Sequence, residues 1–182
     1  MDIDKSRYRR YLDGDTKAFD EIMDEHFDAL IFFIDRYVHD IYAAEDIAIE
    51  TFSELIINSR RYNFSVSLKT YIFMIGRCRA LNHLKKRSRS RAVSLTDINA
   101  DISDRQSIEE KLIQKEELKH LSEALDILPE DMRAVIHLVY FEDMSYEQAA
   151  RILKKNKKQI DNLLYRAKGL LRTTMTKEVN IK

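Results

Sequence analysis

Apolar residues recur at intervals of three and four along most of the chain. The first such stretch runs from Thr16 to Tyr37, and its apolar positions are Phe19, Ile22, Met23, Phe27, Leu30, Ile31 and Ile34. This spacing predicts an α-helix that buries one face. Asp40 is a suitable N-cap for a second helix. The inner face of that helix is predicted at Ile47, Thr51, Phe52, Leu55 and Ile56, with Glu45, Asp46, Glu50 and Glu54 largely outside.

Residues 58–67, NSRRYNFSVS, interrupt the pattern and predict a loop that carries two arginines and two aromatic residues. Ser67 can cap a third helix from Leu68 to about Lys86. Because short helices need packing partners, we expect the three helices to form one bundle.

Residues 87–108 are polar, have no clear period and predict a flexible linker. The pattern then resumes, with Leu118, Leu121, Leu125 and Leu128 on one helical face. Pro129 suits the first turn of a new helix. The apolar positions of that helix are Met132, Val135, Ile136, Val139 and Tyr140.

The last part of the chain has the pattern of a helix-turn-helix. A short helix is predicted over Ser145–Leu153, with a capping box formed by Ser145 and Gln148. After a turn at Lys154–Asn156, a helix capped by Asn156 is predicted from Lys157 to about Thr174. Its buried stripe is Ile160, Leu163, Leu164, Ala167 and Leu171.

These elements predict an all-α protein of two small helical domains joined by a flexible linker. We place the boundaries at 8–88 for the first domain, 89–110 for the linker and 111–176 for the second domain. The chain of 182 residues has only 3 Gly and 1 Pro, which agrees with a helical class.

Charge alternates in blocks although the net charge is zero. Residues 1–58 carry a net −9, residues 59–91 carry +10, residues 92–150 carry −9 and residues 151–182 carry +8. Two basic patches indicate two contacts with a polyanion, and the acidic blocks indicate surfaces for another partner. The alternative is that the helices merely segregate charge by face.

Several classes of function find no support in the sequence. The five histidines, at 26, 39, 83, 120 and 137, lack metal-ligand spacing, and three scattered glycines build no phosphate-binding loop. We therefore expect no enzyme, no cofactor, no metal and no small-molecule substrate. A single cysteine, Cys78, the absence of an apolar run of ~20 residues and a polar N-terminus predict a cytoplasmic protein.

The two basic patches differ in kind. In a helix-turn-helix, the start of the second helix enters the major groove. On that helix Lys157, Lys158, Asp161, Asn162, Tyr165, Arg166 and Lys168 lie outside the buried stripe. Lysines there would meet phosphates, and Gln159, Asn162 and Arg166 could contact bases. The alternative is a hairpin that only packs.

The first patch combines aromatic and basic residues. Arg60 and Arg61 precede the loop YNFSVS, and the helix after it carries Lys69, Arg77, Arg79, Lys85, Lys86 and Arg87 together with Asn82 and His83. Aromatic residues beside cations suit unstacked single-stranded bases. Alternatively, Tyr62 and Phe64 plug the loop into the bundle, which we expect for one of the two.

Three stretches resemble the extracytoplasmic-function group of sigma-70 family RNA polymerase initiation factors. AAEDIAIETF, residues 43–52, is similar to the acidic core-binding motif of sigma region 2. FSVSLKTYIFMIGRCRALNHLKKR, residues 64–87, resembles the segment that melts and recognises the −10 promoter element. Residues 128–172 resemble region 4, which recognises the −35 element. The resemblance covers roughly residues 8–172.

The resemblance implies roles for individual residues. Core RNA polymerase would bind Glu45, Asp46 and Glu50, with Phe52 supporting the helix from within. The single-stranded −10 element would contact Arg60, Arg61, Asn63, Phe64, Lys69, Arg77, Arg79, Asn82, His83 and Lys86. Double-stranded −35 DNA would contact Ser145, Tyr146, Asn156, Lys157, Lys158, Gln159, Asp161, Asn162 and Arg166. The family also implies an anti-sigma partner, membrane-bound in many members.

Some positions depart from the family pattern. Ile49 stands where glutamine is frequent, Tyr71 where tryptophan is frequent, and Lys154 where glycine is usual. If Lys154 is left-handed, this costs on the order of 1 kcal/mol. Asp161 stands where basic residues are common. It either pairs with Lys157 or Lys158 and orders them, or accepts a hydrogen bond from a cytosine.

Two alternatives to a sigma factor remain from the residues alone. The first is a helix-turn-helix regulator that acts without direct polymerase binding, which leaves the acidic stretch 43–52 unexplained. The second is an enzyme, with Glu45, Asp46, Glu50 and Glu54 as a carboxylate metal cluster, although no Glu-x-x-His motif accompanies them.

Overall fold

The computed structural model describes residues 3–93, 125 and 127–179. Within these ranges it has seven α-helices and no strand, as the all-α prediction requires. The helices are α1 (Ile3–Leu12), α2 (Thr16–Val38), α3 (Ile41–Ile57), α4 (Leu68–Val93), α5 (Glu130–Ile136), α6 (Tyr146–Leu153) and α7 (Lys157–Val179). A 3₁₀ turn, Ser59–Arg61, precedes α4, and a π-helical turn, His137–Phe141, follows α5.

Helices α1 to α4 form the first bundle, with α2 in contact with the other three. Its core holds fully buried Phe33, Phe73 and Ile72. α2 and α4 approach closely at Gly76, where an added Cβ would lie 2.8 Å from Leu30 Cδ1. The absence of a side chain at Gly76 therefore sets how closely α4 lies against α2.

The predicted caps of this bundle are confirmed. The Asp40 carboxylate accepts hydrogen bonds from the backbone N–H groups of Tyr42 and Ala43, both at 3.1 Å. The Ser67 hydroxyl accepts from the Thr70 N–H at 3.1 Å. These contacts satisfy N–H groups that the first turn of a helix leaves without an intrahelical partner.

The structure differs from the sequence expectations at three places. The apolar pattern does not predict α1, because this helix is strongly charged and buries only Tyr8. Ile56 was assigned to the inner face but is 49% exposed, since the packed face of α3 ends at Leu55. α4 continues past Lys86 to Val93, so residues 89–93 of the predicted linker are helical; this segment contains no Gly or Pro to stop the helix. The remaining linker residues, and Leu118 and Leu121, lie outside the described ranges.

Helices α5 to α7 form the second domain. Its core includes Val135, Leu138, Ile152 and Ile160, all nearly inaccessible to solvent. Of the stripe predicted on α7, Ile160, Leu164 and Ala167 are buried, while Leu163 and Leu171 are partly buried.

The two domains contact each other, α6 against α4 and α5 against α2. Lys69 of α4 donates a hydrogen bond to the Glu142 carbonyl at 2.9 Å and forms an ion pair with its carboxylate, also at 2.9 Å. The Gln148 amide donates to the Ser67 hydroxyl at 3.3 Å. Polar contacts thus link the start of α4 to the second domain.

Candidate nucleic-acid interface

Two capping boxes define the helix-turn-helix. Ser145 Oγ accepts from the Gln148 N–H at 3.2 Å, and Gln148 Oε1 accepts from the Ser145 N–H at 2.8 Å. Asn156 and Gln159 make the same reciprocal pair at the start of α7, at 2.9 and 2.8 Å. Between them Lys154 ends α6 with φ 54°, in the left-handed region. In the second capping box, the Gln159 side chain is turned back toward Asn156 at the N-terminus of α7.

The outer face of α7 is open to solvent. Lys158, Asp161, Asn162, Tyr165 and Arg166 are all exposed, and Tyr165 is 81% exposed. Positions 158, 161, 162 and 165 follow helical spacing, so their side chains form one continuous surface. It lies opposite the buried stripe and has the accessibility that a recognition helix needs.

The ion pairs around the turn differ from the sequence expectation. Lys157 Nζ lies 2.6 Å from Glu147 Oε1, so it pairs with α6 rather than with Asp161. Lys155 pairs with Asp131 at 2.8 Å. Asp161 makes no ion pair with any residue in the described part of the chain. Asp161 therefore forms an ion pair with neither Lys157 nor Lys158 in this structure.

The loop before α4 is fixed by aromatic packing. Tyr62 is buried and donates to the Val66 carbonyl at 2.7 Å. Phe64 is half-buried with φ 60°, its ring 4.6 Å from that of Tyr62. Of Tyr62 and Phe64, Tyr62 therefore anchors the loop in the bundle, as expected for one of the two. Asn63 is exposed, and its side-chain oxygen accepts from the Ser65 N–H at 3.1 Å.

Helix α1 supports this loop, a role that the sequence analysis missed. Lys5 Nζ donates to the Phe64 carbonyl at 2.8 Å, and the Arg9 guanidinium lies 4.8 Å from the centroid of the Phe64 ring. The signal in the sequence was the basic run RYRR at residues 7–10. Arg9 thereby adds an exposed cation beside the aromatic pair.

The outer face of α3 is acidic, as predicted, but its charges are not equivalent. Glu45 and Asp46 are exposed and form no ion pair with the residues described. Glu50 pairs with Arg79 at 2.6 Å, and Glu54 pairs with Arg79 and Arg61 at 3.2 and 2.9 Å. Arg61 and Arg79 therefore lie against the acidic helix.

Phe52 is 2% exposed and packs on Phe19 and Phe27, with ring centroids 6.2 and 5.8 Å away. It therefore supports α3 from within the bundle, and its side chain offers no surface to a partner.

The remaining −10 candidates are distributed along α4 and its preceding loop. Arg60 is exposed, and His83 and Lys86 line a cavity of about 410 Å³ together with Arg87, Asp40 and Ala43. Lys69 faces Glu142, and Arg77 Nε donates to the Tyr37 hydroxyl at 3.2 Å. Asn82 lies on the side of α4 that faces α6.

Two further −35 candidates lie at the start of α6 in the second domain. Ser145 is exposed as the α6 cap and Tyr146 is half-buried.

One group of side chains has the composition of a metal site. Asp4, Glu25 and His26 place ligand atoms within 4.8 Å of one another. Arg7 pairs with Asp4 at 3.1 Å and with Glu25, and His26 Nε2 lies 2.8 Å from Asp4 Oδ2. The hydrogen bond with His26 lowers the pKa of Asp4. The carboxylates are thus neutralised from within the protein, and the cluster ties α1 to α2.

Comparison with known proteins agrees with these features. Residues 22–90 match the family model for sigma-70 region 2, and residues 118–171 match the model for sigma-70 region 4. The chain belongs to the extracytoplasmic-function group of the sigma-70 family. It is a sigma factor that directs RNA polymerase to promoters, and it is not an enzyme.

Relatives of this sigma factor span nearly its full length. The RNA polymerase sigma-H factor of Pseudomonas aeruginosa is 26% identical over 175 residues, 91% of this chain and 90% of the relative. The ECF RNA polymerase sigma factor SigM of Bacillus subtilis is 23% identical over 90% of this chain and 98% of its own.

Solved structures share the fold. CnrH in complex with the cytosolic domain of CnrY has a TM-score of 0.69 at 18% identity, covering 95% of this chain and 97% of its own. RpoE from Bartonella quintana, solved with the anti-sigma factor NepR, has a TM-score of 0.72 at 23% identity, covering 88% and 98%. No helix in the described ranges is long and apolar enough to span a membrane.

Proposed function

We propose that this sigma factor docks on core RNA polymerase through the acidic face of α3, centred on Glu45 and Asp46. The observation that carries this proposal is their accessibility: both carboxylates are exposed and unpaired among the residues described, whereas Glu50 and Glu54 already have arginine partners. Unpaired charges are available to steer and hold a basic partner surface. Glu50 contributes once Arg79 is displaced, and Phe52 holds α3 in position.

We propose that the −10 and −35 elements bind at separate surfaces. The single-stranded −10 element contacts Asn63 and Phe64 in the loop before α4. It also contacts Arg60, which precedes the loop, and α4, which follows it. The support is the half-buried Phe64 ring, which packs on Tyr62, together with the exposed side chains of Asn63 and Arg60. Extruding a base costs a few kcal/mol, which binding to polymerase and DNA together must offset. Duplex −35 DNA binds α7 through Lys158, Asp161, Asn162 and Arg166, which are all exposed.

We infer that the protein acts in the cytoplasm, where polymerase and promoters are found, and that an anti-sigma protein holds it inactive. The fold shared with RpoE, solved with the anti-sigma factor NepR, supports the second point. The region 2 domain is proposed to comprise α1 to α4, residues 3–93, in place of the 8–88 expected from the sequence, and the region 4 domain is proposed to span 111–176.

The polymerase surface is tested by reversing its charge. Glu45→Lys with Asp46→Lys should abolish binding to core polymerase and leave the helical circular-dichroism spectrum unchanged, because both side chains are exposed. The matched control is Asp20→Lys with Asp24→Lys, two exposed acids of α2. Affinity for core polymerase is measured by biolayer interferometry at low salt. Equal affinity of both double variants and the wild type would refute the docking surface.

A further inference from the structure

A cavity of about 200 Å³ lies between α4 of the first domain and the helix-turn-helix of the second. Its polar lining is dominated by cations: Arg77 from α4, and Arg151 and Lys154 from the end of α6. The rest of the wall consists of Asn82 and Cys78 and of the apolar residues Met74, Leu81 and Ile152. No carboxylate is among the described lining residues.

Two of the three cations that line this cavity have no ion-pair partner among the described residues. Arg151 and Lys154 are exposed and form no ion pair with the residues described. Arg77 uses Nε to donate to the Tyr37 hydroxyl. Burial raises the pKa of Tyr37 to about 12, so the hydroxyl is neutral at physiological pH and forms no ion pair with Arg77. Three cationic residues from two domains therefore line one space, which favours an anion.

We infer that this cavity is a binding site for a small phosphate-bearing anion. Two guanidinium groups and an ammonium group are the donors that bind phosphate oxygens well, the arginines in bidentate geometry. At roughly 30 Å³ per water the cavity volume corresponds to about seven water molecules, enough for a diphosphate group. The walls come from both domains, so the occupant bridges α4 and α6.

Occupancy has a consequence for promoter binding. Arg77 and Asn82 are also proposed −10 contacts, so an anion between α4 and α6 competes with the promoter strand and holds the domains together. This consequence rests on the proposed function, whereas anion binding itself does not.

The experiment uses the full chain and sodium pyrophosphate as the probe, with ionic strength matched by sodium chloride. Isothermal calorimetry measures binding, and the alkylation rate of Cys78, the single cysteine, reports where the probe binds. Pyrophosphate should slow alkylation in a saturable manner. Arg151→Ala with Lys154→Ala should raise the half-saturating concentration about tenfold or more, the equivalent of ~1.4 kcal/mol. The control, Lys17→Ala with Arg89→Ala, removes two exposed cations that neither line the cavity nor belong to a proposed contact surface, and it should change the half-saturating concentration less than twofold.

Absence of saturable binding to the wild type, or equal half-saturation in the two double variants, overturns the inference. Protection by a single-stranded oligonucleotide but not by pyrophosphate assigns the cavity to the DNA path and also overturns it. Polymerase binding is measured on the same samples. A protein that binds polymerase but not pyrophosphate refutes this inference alone, and the reverse result refutes only the proposed docking surface.

Discussion

At the residue scale, Asp161 is an acid on α7, the proposed recognition helix. It is exposed on α7 between Lys158 and Asn162 and has no ion-pair partner among the described residues. Lys157, its expected partner, pairs with Glu147 at 2.6 Å. A carboxylate beside the major groove is repelled by phosphates but can accept a hydrogen bond from the cytosine amino group. We therefore propose that Asp161 contacts a base rather than ordering the lysines.

We predict that Asp161→Ala relaxes the base preference at one position of the −35 element by about 1–3 kcal/mol. Binding titrations on duplexes with each base pair substituted in turn measure this preference. The control is Lys158→Ala, which should weaken binding to all sequences alike and reduce its dependence on salt. If Asp161→Ala instead strengthens binding to every duplex equally, the carboxylate does not contact a base.

At the scale of elements, the turn between α6 and α7 contains a strained position. Lys154 has φ 54°, where a residue with a Cβ is disfavoured and glycine is not. Glycine is usual at this position in the family, so the lysine in the sequence already indicated this cost.

We predict that Lys154→Gly raises the free energy of unfolding by about 1 kcal/mol. Lys154→Ala is the control, since it removes the same charge but keeps the Cβ, and it should leave stability nearly unchanged. Urea denaturation followed by circular dichroism measures both. A glycine variant no more stable than the alanine variant would mean that the turn carries no strain.

Most elements could be predicted from the sequence because each depends on local information. The spacing of apolar residues predicted α2, α3, α6 and α7, and the caps at Asp40, Ser67, Ser145 and Asn156 follow from side chains that bond to nearby N–H groups. α1 could not be predicted in this way, because its stability comes from distant contacts. Its buried Tyr8 donates to the Leu55 carbonyl at 2.8 Å, and its Arg7 pairs with α2.

At the scale of the whole molecule, the two domains are linked by a partly buried ion pair. Glu142 follows the π-helical turn, and its carboxylate lies 2.9 Å from Lys69 Nζ and 3.3 Å from His137 Nε2. Burial raises the pKa of Glu142, but the contacts of its carboxylate with His137 and Lys69 outweigh burial and keep this pKa below its usual value. The ion pair thus favours packing of the domains at neutral pH.

We predict that Glu142→Gln loosens the domain packing and enlarges the radius of gyration measured by small-angle X-ray scattering at neutral pH. Because the pKa of Glu142 is lowered, the contribution of its charge is present above the ordinary carboxyl pKa and is lost as pH falls through the lowered value. The difference between variant and wild type should therefore vanish on acidification. Glu147→Gln is the control, since Glu147 pairs with Lys157 within its own domain. An unchanged radius would show that the ion pair does not hold the domains together.

The contact between the domains could not be predicted from the sequence, because it joins residues 73 positions apart. The basic run predicts Lys69 as a −10 contact. The run does not show that Lys69 forms an ion pair with Glu142. The same holds for Arg61 and Arg79, whose partners on α3 became visible only with the fold. The acidic face at Glu45 and Asp46 was predictable, because helical spacing alone places both outside.

Run-off transcription with purified core RNA polymerase shows whether this chain directs the enzyme to promoters through α3. Core enzyme, the wild-type chain and a library of genomic promoter fragments are combined, and transcript start sites are mapped. We predict discrete start sites that require the added chain and disappear with the Glu45→Lys, Asp46→Lys variant but not with the Asp20→Lys, Asp24→Lys control. Transcription that is the same with and without the chain, under conditions in which the chain is folded, would contradict it.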